Sequence, residues 1–300
     1  MKLSVCIFTY NHERYIAQTI ESVLAQQTTF DFEIIIGEDH STDNTQKIVR
    51  EYEERYPDKI RAIYNQKNLG LMKNHVNTIL QAKGSYVSLL DGDDFLTHPS
   101  KFQKQVDFLE QNPGFVLCFH DVNILNIDGT IDERTCCGPD TPSVVTFEDV
   151  ISRVSIPTLA LVFNKKFLQG HPPKWFETLN APDRPFFLLL LHHGMGYFFN
   201  ECWGVYRKHP QGHWTSQSYL SQWNTHLAIF RAVNDHFNNK YHAAFQKAEA
   251  IIKLHLSIDL IRDNKKQEAI GPFLEFFRYC LESSSVKEYN YHIDSFLSFI

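Results

Sequence analysis

SYVSLLDGDDF, residues 85–95, reads as a hydrophobic strand that ends in three carboxylates, Asp91, Asp93 and Asp94. Carboxylates crowded at a strand end repel one another, and a bound cation offsets that repulsion. Mg²⁺ and Mn²⁺ are typically held by one or two carboxylates together with the phosphate oxygens of a substrate. The stretch therefore predicts a metal–diphosphate site and a nucleotide-linked substrate. The alternative is an acidic turn that only caps the next helix.

The residues around this stretch alternate between strand and helix patterns up to about residue 125. Apolar runs predict strands at 3–8, 32–39, 60–65, 85–91 and 115–125. Helical spacing predicts helices at 13–26, at 70–84 and at about 99–111. A further helix is predicted to begin at a cap formed by Ser41 or Thr42 and to end at Pro57. Repeated β–α units predict an α/β fold with a mainly parallel central sheet covered by helices on both faces.

The remainder of the chain changes character twice. Residues 126–214 contain short apolar runs separated by Gly and Pro, whereas the last segment is periodic at helical spacing. The sequence therefore predicts one domain over residues 1–214 and a C-terminal helical extension over residues 215–300. Phe273, Phe276, Phe277 and Tyr279 make this extension strongly apolar, which favours internal packing or a homodimer and leaves peripheral membrane contact open.

Composition limits the class of protein and its partners. Hydrophobic residues make up 43% of the 300 residues, and the net charge of −6 comes with no basic run, which argues against nucleic acid as a partner. Six cysteines lack metal-ligand spacing, and the adjacent pair Cys136–Cys137 favours reduced thiols. The N-terminal apolar run is too short for a signal peptide, and the run from Phe186 is too short to span a bilayer. We therefore expect a soluble, cytoplasmic protein.

Polar side chains follow three of the predicted strands, at the point where each strand ends. Ligands of open α/β sheets bind at the carboxyl ends of the strands, near the point where strand order reverses. We expect the three groups to converge there: Thr9, Tyr10 and Asn11; Glu38 and Asp39; Asp91 and Asp93. Tyr10 can stack on a base, Asp39 can accept from a base or a ribose, and Asp91 can accept from a sugar. The alternatives are a half-buried strand-end aromatic and an ordinary Asx or Ser/Thr turn.

At these residues the chain resembles family 2 glycosyltransferases of the GT-A fold. The matching stretches run over about residues 3–125 and are SVCIFTYNHERYIAQTIESVLAQ, IIIGEDHSTDNT and NQKNLGLMKNHVNTILQAKGSYVSLLDGDDF. The resemblance implies transfer of a sugar, with inversion, from a nucleotide diphosphate donor, expected to be a UDP-sugar, to an acceptor hydroxyl. It also implies Mn²⁺ or Mg²⁺ as cofactor and a carbohydrate or lipid-linked glycan acceptor in surface polysaccharide synthesis. Residues 1–125 would then form the nucleotide-sugar half and residues 126–214 the acceptor half.

The resemblance carries over to the donor side position by position. Tyr10 falls where the family packs a uracil ring, and Asp39 matches the residue that bonds the base. Lys73 lies in a segment where a basic side chain often meets the donor. Two positions depart from the family pattern, because Glu38 replaces a more frequent Asp and His40 replaces a common Gly. The second change alters the turn after the strand.

The resemblance also assigns the metal and the base. Asp91 and Asp93 fit the family's DxD element, with Asp93 as the metal ligand. His209, in VYRKHPQGHW, is expected to meet the metal or the diphosphate, unless it is a structural loop histidine. Asp183, in NAPDRPFF, is the expected catalytic base, because the family carries an acid shortly before a helix and a strand leading to a YRxH-like element. Its alternative is a helix N-cap followed by an early proline.

Three competing functions fit the sequence less well. A nucleotidyltransferase needs a Gly-rich basic loop after the first strand, where this chain has TYNHERY, and a dinucleotide-dependent oxidoreductase needs G-x-G-x-x-G. A non-catalytic sugar-nucleotide-binding or scaffold protein on the same fold would not need every expected acid to be present. The acids are all present, so the sequence favours an enzyme.

Overall fold

The computed structural model describes residues 1–132, 137–138, 140–152, 154–168, 170–283, 289 and 293. Cys136 therefore lies outside the described residues, and Cys6, Cys118 and Cys202 are free thiols. Packing divides the chain into two compact units, Met1–Gly212 and His213–Ile300.

The first unit is built on one mixed sheet, which has ten strands among the described residues. The strands are β1 (Leu3–Thr9), β2 (Phe32–Glu38), β3 (Ile60–Tyr64), β4 (Tyr86–Asp91), β5 (Phe95–Leu96), β6 (Phe115–Leu125), β7 (Ile131–Asp132), β8 (Val144–Val145), β9 (Val162–Asn164) and β10 (Met195–Arg207). Their order in the sheet is β3-β2-β1-β4-β9-β6-β10-β5, with β7 beside β6 and β8 beside β10. Pairs β1–β2, β1–β4, β2–β3 and β6–β10 are parallel, whereas β9 is antiparallel to both β4 and β6. The predicted α/β fold with a mainly parallel sheet is confirmed.

Helices connect these strands and cover the sheet through their apolar faces. The helix α1 buries Ile16, Ile20 and Val23, the spacing that predicted it. The predicted helix cap at Ser41 or Thr42 is wrong, because the second helix begins only at Thr45. Ser41 and Thr42 instead form hydrogen bonds with Asn11. The helices of this unit are α1 (Ile16–Leu24), α2 (Thr45–Arg55), α3 (Leu71–Leu80), α4 (Lys101–Gln111), α5 (Phe147–Ser152) and α6 (Asp183–Leu191).

The order of the strands creates the edge at which the polar groups meet. From β1, the sheet continues to β2 on one side and to β4 on the other, which is a topological switch point. The register pairs Thr9 with Glu38 and Phe8 with Asp91. The carboxyl ends of these three strands therefore lie side by side, and the expected convergence of their polar residues is confirmed.

Close packing of α3 on β2 depends on a glycine. A Cβ at Gly37 would lie 2.0 Å from Oγ1 of Thr78 and 2.8 Å from Oδ1 of Asn74. The Asn74 side chain instead donates to the Gly37 carbonyl at 2.9 Å. Gly37 thus lets α3 approach the sheet, and this approach sets the position of the loop that precedes the helix.

The second unit is helical, as predicted for this part of the chain. Pro272 lies inside the last helix of this unit. Phe273 and Phe276 are buried within the unit, and Trp223 Nε1 donates to Oδ2 of Asp259 at 3.0 Å. Among the described residues, every helix is too short or too polar to cross a membrane. The helices are α7 (Tyr219–His236), α8 (His242–Arg262) and α9 (Lys266–Glu282).

Candidate active site

The loops after β1 and β2 are tied together by Asn11. Its backbone N–H donates to Oγ of Ser41 at 3.0 Å, and its side-chain oxygen accepts from the backbone N–H of Thr42 at 2.8 Å. Both Asn11 and His40 have left-handed backbones, with φ of 55° and 62°. This conformation is uncommon outside glycine, although Asn and His adopt it more readily than most residues. Asn11, predicted to meet the donor, therefore shapes the loop pair.

The acids at the end of β2 are buried and engaged. Glu38 is fully buried and accepts from Ser41 N–H at 2.8 Å and from Gln46 Nε2 at 3.0 Å. Asp39 is 2% exposed, and its carboxylate accepts from the backbone N–H groups of Leu69 and Gly70 at 2.8 and 2.9 Å. Asn65 Nδ2 is a third donor to Asp39, at 2.9 Å. Asp39 thus holds the loop that leads into α3.

Tyr10 and Lys73 are the exposed members of the predicted donor site. Tyr10 is 42% exposed, so its ring is available for stacking, whereas Thr9 beside it is buried. The Lys73 side chain is 56% exposed, and its Nζ lies 4.0 Å from Oε2 of Glu177. An exposed pair at this distance contributes little to stability, so the lysine is available to a charged ligand.

The carboxylate of Asp93 lies between two imidazoles. Its Oδ2 is 2.8 Å from Nε2 of His209 and 3.8 Å from Nε2 of His12. One ligand atom from each of the three residues lies within 4.8 Å of the other two. Burial acts to raise the pKa of Asp93, but the hydrogen bond with His209 and the charges of both histidines outweigh it and lower the pKa. The same hydrogen bond raises the pKa of His209.

Arg207 and Asp94 fix the end of β10 against this cluster. The Arg207 backbone N–H donates to Oδ1 of Asp94 at 2.8 Å, and its Nε donates to the Asp93 carbonyl at 2.8 Å. Its guanidinium also lies 4.7 Å from the centre of the Tyr15 ring. Burial, together with the negative charges of Asp93 and Asp91, raises the pKa of Asp94 well above its usual range. Asp94 is thus a structural acid that brings the end of β10, two residues before His209, to the site.

Gly92 allows the acidic turn to pack against the loop after β1. A Cβ at this position would lie 2.8 Å from Nδ1 of His12 and 2.8 Å from Oγ1 of Thr9. A side chain here would therefore displace His12 from the turn that carries Asp93. His12 was not singled out from the sequence, although it lies three residues after the end of β1, where the strand-end argument applies.

Asp91 lies beside a histidine of α3. The Nε2 of His75 is 3.6 Å from Oδ1 of Asp91, and its Nδ1 is 2.8 Å from the Leu71 carbonyl oxygen. The imidazole also stacks on Phe8, with ring centres 3.6 Å apart. Because the ring is held on two sides, it orients Asp91, whose side chain remains 31% exposed.

Asp183 is the first residue of α6 and faces the same region. Its Oδ1 accepts from the Arg184 backbone N–H at 2.8 Å, and the residue that precedes the helix is Pro182. Burial raises the pKa of Asp183, and the charges of Asp91 and His75 also act on it. With His75 and Phe176 it lines a small, mainly apolar cleft. Because His75 lines this cleft and lies 3.6 Å from Asp91, the structure brings Asp183 and Asp91 to the same region from sequence positions far apart.

Comparison with known proteins begins with a family model described as glycosyl transferase family 2, which matches residues 4–135. An uncharacterized protein of Mycobacterium tuberculosis is 32% identical over 223 residues, which cover 71% of this chain and 61% of that relative. A Bacillus subtilis protein, TuaG, provisionally assigned as a glycosyltransferase of teichuronic acid biosynthesis, is 29% identical over 68% of this chain and 78% of its own length.

The fold is similar to that of a solved mannosyltransferase. PcManGT from Pyrobaculum calidifontis, in complex with GDP-Man and Mn²⁺, superposes with a TM-score of 0.64 over 99% of this chain and 84% of its own. The two sequences are 14% identical, so the similarity concerns the fold.

Proposed function

The chain belongs to glycosyl transferase family 2 through residues 4–135, and from this membership we propose that it is an inverting, metal-dependent glycosyltransferase. The observation that carries the proposal is the position of Asp91. Its Oδ1 lies 3.6 Å from Nε2 of His75, which lines the same cleft as Asp183, and two residues further along the same turn Asp93 lies between two imidazoles. A sugar held at Asp91 would therefore lie between a base and a cation site, as direct displacement requires.

On the donor side, we assign contact with the nucleotide sugar to the exposed residues. The Tyr10 ring is available to stack on the base, Asp91 accepts from a sugar hydroxyl, and Lys73 supplies positive charge. The buried residues Glu38 and Asp39 act through the loops that they hold. The donor is a nucleotide diphosphate sugar, for which a UDP-sugar remains our prediction.

The residues around Asp93 fit a divalent cation. Imidazole nitrogen and carboxylate oxygen are both common ligands of divalent first-row metal ions such as Mn²⁺, and Asp93 and His209 would hold the ion, either Mn²⁺ or Mg²⁺. When bound, the cation supplies Lewis-acid neutralisation of the charge on the departing diphosphate. The similarity of fold to a protein solved with Mn²⁺ supports this role.

Asp183 would act as the general base. Its carboxylate takes the proton of the acceptor hydroxyl as that oxygen forms the bond to the anomeric carbon, and the bond from that carbon to the diphosphate breaks. A pKa raised by burial makes Asp183 a stronger base than an ordinary carboxylate. Direct displacement of this kind inverts the configuration without a covalent enzyme intermediate.

For the acceptor, we propose a carbohydrate or a lipid-linked glycan. The relative provisionally assigned to teichuronic acid biosynthesis supports a role in surface polysaccharide synthesis. Peripheral membrane contact and a homodimer through the second unit remain predictions.

The function can be tested in two steps. Nucleotide sugars are first screened for Mn²⁺-dependent thermal stabilisation, and the stabilising donor is then assayed for release of its nucleoside diphosphate with candidate acceptors. Asp183→Asn should abolish transfer while retaining donor binding, and Asp93→Ala should lose both transfer and metal-dependent binding. The exposed Asp128→Asn is the matched control and should behave as wild type. Donor binding without any release of nucleoside diphosphate would instead identify a non-catalytic binding protein.

A further inference from the structure

We propose that His12 is a third protein ligand of the cation held by Asp93 and His209. The site then binds Mn²⁺ and similar transition-metal ions in preference to Mg²⁺, and it does so before any nucleotide is bound. This rests on the proposed metal role of Asp93, and it adds a ligand and a metal preference that the DxD element does not supply.

The spacing of the three side chains fits one ion. The Asp93 Oδ2 is 2.8 Å from Nε2 of His209 and 3.8 Å from Nε2 of His12, and the three ligand atoms lie within 4.8 Å of one another. Bonds of about 2.1 Å from one ion place ligand atoms about 3 to 4 Å apart, depending on the angle between them. Small rotations of the side chains would therefore complete the coordination.

Each imidazole is oriented by its other ring nitrogen. The Nδ1 of His12 lies 3.3 Å from Oγ1 of Thr9, and the Nδ1 of His209 lies 3.4 Å from Oε1 of Gln211. Metal-binding histidines commonly use one nitrogen for an oxygen partner and the other for the ion. Both Nε2 atoms are thus directed to Asp93, and Gly92, which has no side chain, leaves room for His12.

The set of ligand atoms determines which metal is preferred. Mg²⁺ prefers oxygen ligands and retains its waters, so it usually relies on substrate phosphates as well as carboxylates. Imidazole nitrogen is a ligand of first-row transition-metal ions, among which Mn²⁺ binds a given nitrogen–oxygen site most weakly and Co²⁺ more tightly. A site with two imidazoles and one carboxylate is therefore complete enough to hold Mn²⁺ or Co²⁺ when no diphosphate is present.

The test measures metal binding by the full chain without nucleotide. Binding of Mn²⁺ to the metal-free protein is measured by electron paramagnetic resonance during a titration. The titration is repeated in the presence of Mg²⁺ as a competitor. The absorption spectrum of the Co²⁺-bound protein reports the coordination geometry. We expect one Mn²⁺ ion per chain, bound about tenfold or more tightly than Mg²⁺. His12→Gln should weaken Mn²⁺ binding by about 10- to 100-fold or more, since even loss of a residue that only supports a ligand has an effect of that size.

Two controls keep the result interpretable. His40→Asn removes an exposed imidazole from the neighbouring loop and should leave Mn²⁺ affinity unchanged, because Asn also tolerates the left-handed backbone at that position. The unfolding temperature of metal-free His12→Gln should match wild type. Equal affinity for Mn²⁺ and Mg²⁺, Mn²⁺ binding that requires nucleotide, or Mn²⁺ binding that is insensitive to His12→Gln would each overturn the proposal. Sugar transfer could still be observed in that case, so the two proposals fail separately.

Discussion

The buried lysine Lys101 gives a stability prediction that can be worked out from the structure. Lys101 is the first residue of α4 and is fully buried, with its Nζ 3.3 Å from Oγ of Ser88. Burial lowers the pKa of Lys101 from 10.5 to about 7. Ser88 also donates to the Leu161 carbonyl at 2.9 Å, so replacing the lysine by methionine leaves the serine hydroxyl bonded. Lys101→Met therefore removes a buried amine without leaving an unpaired partner.

The sign and size follow from proton binding in the two states. The unfolded chain binds the lysine proton up to pH 10.5, whereas the folded protein releases it near 7. Between these values the unfolded state holds more protons, so stability rises with pH across this window. The difference of about 3.5 pKa units corresponds to about 4 kcal/mol of folding free energy lost at pH 7. About 2 kcal/mol of this loss is recovered by about pH 9.

We expect Lys101→Met to be more stable than wild type at neutral pH, with an advantage that shrinks by about 2 kcal/mol between about pH 7 and about pH 9. Urea unfolding followed by tryptophan fluorescence at the two pH values measures this change, and titrations common to both proteins cancel in the difference. Lys47→Met, whose side chain is 75% exposed on α2, should show no such pH dependence. A difference that is constant with pH, or a destabilised Lys101→Met at pH 7, would refute the reasoning.

Three further predictions concern packing, the donor loop and the base. Gly37→Ala should cost about 1–3 kcal/mol in urea unfolding, because the new methyl group overlaps Thr78, while Gly114→Ala, which has open space, is the matched comparison. Asp39→Asn should accelerate hydrogen exchange at the two loop amides that donate to its carboxylate; unchanged exchange would contradict that role. The rate kcat/KM should fall on acidification through the raised pKa of Asp183, because the base must be ionised. A profile that stays flat down to about pH 4 would argue against Asp183 as the base.

The edge of the sheet that forms the site was predictable from the sequence. Strands β1, β2 and β4 are continuous apolar runs followed by polar residues, and parallel strands place their carboxyl ends at one edge. The antiparallel insertion of β9 between β4 and β6 was not predictable. Its three residues, Val162–Asn164, are too few to show a period, and their position is set by tertiary pairing.

The roles of individual acids depend on contacts that a pattern does not show. Glu38 and Asp39 are predicted to meet the donor, and the structure shows in addition that both are buried and accept hydrogen bonds from loop amides. The approach of His209 to Asp93 depends on the register of β10, which shifts between Phe199 and Cys202. Such irregularities arise from packing of the whole sheet, so the metal cluster could be only partly foreseen.

The distance along the chain between Asp93 and His209 bears on how the protein is made. The two residues are 116 positions apart, so bringing them together closes a long loop at an entropic cost of about 4 kcal/mol. A nascent chain that ends near residue 135 would already contain the acidic turn and His12, but neither His209 nor Asp183. During synthesis, the proposed cation site would thus be completed only when β10 joins the sheet. High-affinity metal uptake would then report that the entire first unit has finished folding.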